Sequence, residues 1–203
     1  MLTVSVDQAA VERGLREGEF VCPCGGVLAA WGWARPRSLR DVVSRLEVRP
    51  RRGRCRRCAV THVLLLVDAL LRRADTAAVI GSALVGKACG YGHRVIAAGL
   101  GRPPSTVRGW LRRFASRVEP VRSAFTALAI TLVVDAVLPD LQPTVFGDAV
   151  AAVGFAASAT ARRFAVPIVS GWRLATAVTT GRLLSPGWRD GSCNTSWPWA
   201  AVL

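Results

Sequence analysis

HRVIAAGLGRPPSTVRGWLRRF, His93 to Phe114, is the stretch around which this chain organises itself. Val95, Ile96 and Ala97 open an apolar run, and Gly101-Arg102-Pro103-Pro104 breaks it. Val107, Trp110, Leu111 and Phe114 then recur at helical spacing. Pro104 suits a first helical turn, where its missing N–H costs nothing. Gly101 falls where a tight turn wants positive φ. Ala97 is small where two helices must come close. The pattern predicts a helix over about 94–99, a turn at 100–103 and a second helix over about 104–118. That arrangement is a helix-turn-helix.

The outer face of the second helix reads Ser105, Thr106, Arg108, Gly109 and Arg112, all without an acid. Such a face suits a DNA major groove, with arginine reaching guanine edges and hydroxyls reaching phosphates. Gly109 would allow close approach to the duplex. Arg102 and Arg113 flank the face and suit phosphate contacts, as do His93 and Arg94 at the start of the preceding helix. The plainer alternative is a helical hairpin within a larger helical domain, with a solvated arginine face.

Upstream lie two cysteine pairs, Cys22-Pro23-Cys24-Gly25-Gly26 and Cys55-Arg56-Arg57-Cys58, separated by thirty residues. Thiolates on two tight turns suit the tetrahedral coordination of Zn²⁺, so Cys22, Cys24, Cys55 and Cys58 are the expected ligands of a structural zinc ribbon. A redox pair or merely buried thiols are the alternatives. The first turn has a single spacer residue where ribbons usually have two, and so needs a tighter bend. His62 is either a replacement ligand or an ordinary strand histidine. Cys89 and Cys193 have no partner at metal spacing. Val27–Trp33, the surroundings of Val42–Val48, and Thr61–Val67 are compatible with strands. Ten arginines between Arg35 and Arg57 cannot all be buried, and so form a positive surface.

The whole chain of 203 residues carries 27 Lys+Arg against 13 Asp+Glu, a formal charge of +14, which points to a polyanionic partner. Lys87 is the only lysine, and arginine's planar fork suits phosphate and guanine. Hydrophobic residues make up 51%, enough for a packed core. The first twenty residues lack the apolar region of a secretory signal. Phe125–Leu138 is apolar but interrupted by Asp135 and ended by Pro139, and reads as a buried helix rather than a membrane span. A cytoplasmic, nucleoid-associated protein without a membrane partner is expected.

The expected fold is mainly α with a small β zinc ribbon. Its segments are a helical or frayed lead-in (1–19), the ribbon (20–67), the helix-turn-helix unit (68–118), and a C-terminal helical region with a Trp-rich tail (119–203). Asp75 is read as the N-cap of a helix running to about Ala88. Helices over about Val121–Leu138 and Gly147–Phe164 follow. Trp172, Trp188, Trp197 and Trp199 sit among Gly, Pro and Ser with little periodicity. No enzymatic activity is expected, because the acids after the second helix are Glu119, Asp135, Asp140, Asp148 and Asp190. Those acids and the short remaining chain do not suit a carboxylate-held two-metal core. No Walker or dinucleotide motif is present.

The order CPCGG, WGWARPR, RCRRC-x-x-TH, GHRVIAAGLGRPPSTVRGWLRRF and CNTSWPW resembles an actinobacterial zinc-ribbon, helix-turn-helix family of unknown function. That family is similar to the N-terminal part of transposases. The resemblance runs from about Phe20 to Trp199. It implies DNA binding, a link to mobile elements, and Cys22, Cys24, Cys55 and Cys58 as metal ligands. The expected function is that of a transcriptional regulator or transposon-associated accessory protein acting on double-stranded DNA with structural zinc. A homodimer, or a transposase or polymerase partner, fits the same picture. A protein-interaction adaptor and a degenerate transposase fragment are the competing readings.

Overall fold

A computed structural model describes residues 1–133 and 135–185. Over these residues the chain is mixed α and β. Strand β1 (Leu2–Val4) opens the chain and helix α1 (Gln8–Glu17) follows. Asp7 caps α1 by accepting the Ala9 N–H at 2.9 Å, and Gly18 ends it in the left-handed region at φ 77°. Next come β2 (Leu28–Trp33), β3 (Arg37–Arg40), β4 (Arg45–Val48), β5 (Arg51–Cys55) and β6 (Thr61–Leu66). Four of them form a sheet in the order β1-β6-β5-β2, with β1 parallel to β6 and the other pairs antiparallel. β3 and β4 make a separate hairpin, with Arg37 opposite Val48.

The lead-in is therefore an integral strand and helix, not a frayed end. Val11 and Leu15 of α1 bury against Phe20, Leu28 and Leu64, and Cys22 and Cys55 join the same cluster. Arg51 fastens α1 to β5 by a two-pronged bond to Glu12, at 2.6 and 3.1 Å.

The remaining elements are helical: α2 (Ala77–Ala88), α3 (His93–Leu100), α4 (Pro104–Ala115), α5 (Val118–Leu132), α6 (Val145–Arg163) and α7 (Gly171–Val178). One apolar core runs from Val67 to Leu184 through all six. Val67, on the N-terminal side of the expected 67/68 boundary, already belongs to this core. Position 118/119, the next expected boundary, lies inside the same core, so α2–α4 and the C-terminal helices share it. Phe114 of α4 meets Phe146 of α6 with ring centroids 4.9 Å apart. Arg173 of α7 reaches Asp68, just after β6, at 2.7 and 3.0 Å.

Several local expectations are corrected. Thr76, not Asp75, caps α2, accepting the Val79 N–H at 3.3 Å. The apolar run Phe125–Leu138 is not one buried helix: α5 stops at Leu132, and Val137 and Leu138 are exposed. Trp172 lies on a helix rather than in an irregular tail. Trp188, Trp197, Trp199, Cys193 and the CNTSWPW motif lie outside the described residues. No helix among the described residues is long and apolar enough to cross a membrane.

Candidate metal centre and nucleic-acid interface

The CPCGG turn folds back on itself because its backbone pairs locally. The Gly25 N–H donates to Cys22 O and the Cys22 N–H to Gly26 O, both at 2.8 Å. Gly25 takes φ 82°, and a Cβ on Gly26 would stand 2.6 Å from Cys55 Sγ. Both glycines are thus required, one for its backbone angle and one for its lack of bulk. On the facing turn, the N–H groups of Arg57 and Cys58 point at Cys55 Sγ, at 3.4 and 3.5 Å.

These two turns bring the four sulfurs within 4.8 Å of one another. Cys22 Sγ lies 3.7 Å from Cys58 Sγ, and Cys24 Sγ lies 3.5 Å from Cys55 Sγ. With metal–sulfur bonds of about 2.3 Å, a tetrahedral site needs sulfur–sulfur edges of about 3.8 Å. The cysteines can therefore hold a metal ion, and the short CPC spacer is no obstacle.

Electrostatics fit the same role. The Cys58 backbone N–H lowers the Cys55 thiol to about 6, helped by the Arg57 N–H and neighbouring sulfurs and opposed by burial. Cys22 has its thiolate favoured by the Cys24 backbone N–H. Burial and the other three sulfurs outweigh that and push it up to about 12. Crowded thiolates oppose one another, and a dication between them removes the conflict. A feature the sequence did not reveal is the place of His62. It is buried on β6, with Nε2 3.2 Å from Cys22 Sγ and Nδ1 3.0 Å from the Met1 amino group. It stands beside the four sulfurs, as a neighbour that orients Cys22. Spacing after Cys58 raises His62 as a replacement ligand, but not its partner Cys22, forty residues away.

The second candidate surface is the packed trio α2, α3 and α4. Ala97 is buried at the approach of the helices and Gly101 takes φ 61° in the turn, as the spacing predicts. Val107, Trp110, Leu111 and Phe114 are buried along one side of α4. On the other side Ser105, Arg108 and Arg112 are exposed, Thr106 and Gly109 are half-exposed, and Arg94 is exposed on α3. Neither α3 nor α4 contains a carboxylate.

Two expected contact residues are placed differently. Arg102 is not free to meet a partner. Its side chain is 10% exposed, paired with Asp75 at 2.6 Å, and it also donates to Asp41 O at 2.7 Å and to the Leu100 carbonyl. It is the strut between the β3–β4 hairpin and the turn. Arg113 folds back over Gly109 and donates to its carbonyl at 3.0 Å. A Cβ on Gly109 would meet that guanidinium, so the glycine makes room for Arg113.

No protein-family model, no curated protein and no solved structure matches the chain.

Proposed function

We propose that the protein binds double-stranded DNA through α4, as a transcriptional regulator or a transposon-associated accessory protein, with zinc as the structural metal of the cysteine cluster. The observation that carries this reading is the acid-free outer face of α4. Ser105, Arg108 and Arg112 stand exposed there on a three-helix scaffold whose turn has the required left-handed glycine. Arginine at two positions four residues apart projects from one side of a helix, and its fork matches guanine O6 and N7. The net charge of +14 supplies the long-range attraction. Zinc is the metal whose bond length and tetrahedral preference agree with four clustered thiolates.

A second reading has its own support. Ile130, Val137, Leu138, Leu141 and Val145, between the end of α5 and the start of α6, are all more than half exposed. An adaptor that docks on a protein partner would use such a surface. Site selection from a random duplex pool with the zinc-loaded full chain separates the two. A recovered consensus, with affinity falling steeply as salt rises, supports the DNA reading. Uniform affinity for all duplexes rejects it. Elemental analysis of the purified chain, expecting one zinc per molecule, tests the metal.

A further inference from the structure

The base of the β3–β4 hairpin is buried, with Leu39 and Val48 packed against Leu65 and Ala69. Its tip is not. The Asp41 N–H donates to Ser44 O at 2.9 Å and closes the loop to Val42 and Val43. Val42 is 62% exposed and Val43 97%. Two-residue hairpin loops favour Gly, Asn or Asp, because they want positive φ. Neither valine takes a positive φ. Two stiff, β-branched side chains standing in water serve neither the turn nor a core.

This tip is fixed beside the start of α4. The Arg40 N–H donates to Ala74 O at 2.7 Å, and the Thr76 N–H donates to Arg40 O at 3.0 Å. Asp41 accepts the Thr76 hydroxyl on its carboxylate at 2.9 Å, and Arg102 Nη2 on its carbonyl at 2.7 Å. The buried Asp75 joins Arg40 to Arg102. Residues 40–45 and 101–102 line one open cleft. Arg45 stands opposite Arg40 in the hairpin register and is exposed. Among the described residues, no ion pair includes Arg45. Of the hairpin's two acids, Asp41 is held by Thr76, and Glu47 lies two positions further from the tip than Arg45.

We propose that the β3–β4 tip is a second contact with duplex DNA: Val42 and Val43 enter the minor groove beside the major groove that takes α4, and Arg45 meets its phosphate edge. This rests on the DNA reading above. A recognition helix enters its groove by the N-terminal end, and the tip is fastened beside that end of α4. Across one phosphate backbone from the major groove lies the minor groove. Proteins wedge apolar side chains into its base steps, with arginine nearby. A protein partner would explain the valines alone, whereas a polyanion also uses the unpaired Arg45 and the net charge of +14. The contact adds affinity with little base preference, because the minor-groove pattern is degenerate.

Fluorescence anisotropy of the zinc-loaded full chain tests the tip, with a labelled mixed-sequence duplex and its copy carrying inosine for every guanine. Inosine keeps the major-groove acceptors and lacks the 2-amino group in the minor groove. The parent binds the inosine duplex at least about threefold tighter. Val42→Ser with Val43→Ser weakens binding to the ordinary duplex about tenfold and loses the inosine preference, at an unchanged thermal midpoint. Arg45→Gln lowers the slope of log K against log salt by about 1, while Arg162→Gln, an exposed change on α6, does not. Arg108→Ala weakens binding and keeps the inosine preference. If Arg108→Ala weakens binding while the valine variant and Arg45→Gln bind as the parent does, the tip contact is overturned and the DNA reading stands. Equal affinity of the parent for both duplexes overturns the minor-groove placement. A parent that binds neither duplex overturns both readings. Self-association lost in the valine variant, with duplex affinity intact, makes the tip a contact between protein chains and overturns the proposal.

Discussion

Asp75 shows how much one buried side chain decides. Its two oxygens hold Arg40 and Arg102, each at 2.6 Å, and the carboxylate side chain is only 3% exposed. One arginine comes from β3 and the other from the turn before α4, so a single acid ties the hairpin to the α3–α4 turn. Removing it leaves two partly buried cations unpaired. Asp75→Ala is expected to cost about 3–5 kcal/mol, read as a lower urea midpoint at unchanged slope. Arg102→Ala should behave as a stability change of the same kind and leave the preferred DNA site alone. Arg108→Ala should do the opposite. The folded state is untouched, affinity for the best site falls by about 1–3 kcal/mol, and discrimination at one base pair is lost. A fluorescence-anisotropy titration against the selected site and its single-base variants checks both. If Arg108→Ala weakens all duplexes equally, Arg108 is a phosphate contact and the orientation assigned to α4 is wrong. Sequence alone assigns both arginines a DNA contact, Arg108 at guanine edges and Arg102 at phosphates. What separates them is Asp75, 27 residues before Arg102, and the Asp41 carbonyl, 61 residues before it.

Among the elements, α2 depends on a residue that helix propensity disfavours. Gly81 is buried in mid-helix, and a Cβ there would lie 2.2 Å from the Trp172 ring of α7. Alanine in an open helix would gain about 0.5–1 kcal/mol over glycine. Here the added methyl drives into a bulky ring, and overpacking of this kind costs about 1–3 kcal/mol. Gly81→Ala should therefore lower stability on balance, and Gly81→Ala with Trp172→Leu should recover part of the loss. A thermal melt in which Gly81→Ala gains stability would mean that α7 is not seated on α2. The same contact explains what could be read from the chain beforehand. The helices over 93–115 were legible because their apolar stripe, Gly101 and Pro104 are all local signals. α7 was not, since GWRLATAV is short and its Trp172 packs on Gly81, 91 positions earlier. β5 was hidden for another reason. RRGRC looks like a solvated basic run, and only pairing with β2 and β6 turns Gly53 inward against Leu28. The cysteine cluster was legible from spacing alone. The sulfur-facing amides and His62 needed the folded chain.

Taken whole, the molecule has two principal apolar cores of different character, and that difference makes a prediction. The helical core from Val67 to Leu184 is large and built from side chains on six helices. The N-terminal core is small: Leu2, Val4, Val11, Leu15, Phe20, Leu28 and Leu64, completed by Cys22 and Cys55 themselves. A unit of that size would gain much of its stability from a metal held by its cysteines, because ligand binding there is folding energy. Chelation should then act unevenly. Hydrogen exchange after zinc removal is expected to speed up by at least about tenfold at the amides of β5 and β6, while the amides of α6 keep their protection. Helical circular dichroism should fall only slightly. The join between the cores limits how far the loosening spreads. It includes the Arg173–Asp68 pair and the Thr3 hydroxyl donating to Ala177 O at 3.4 Å. Both contacts hang on α7, so α7 amides should show intermediate behaviour. Uniform loss of protection through α6 would mean that the two cores fold as one unit. Unchanged exchange in β5 would mean that the sulfurs cluster without any metal contribution. The proposed division of labour, a metal-held sheet beside a self-sufficient helical body, requires the uneven result.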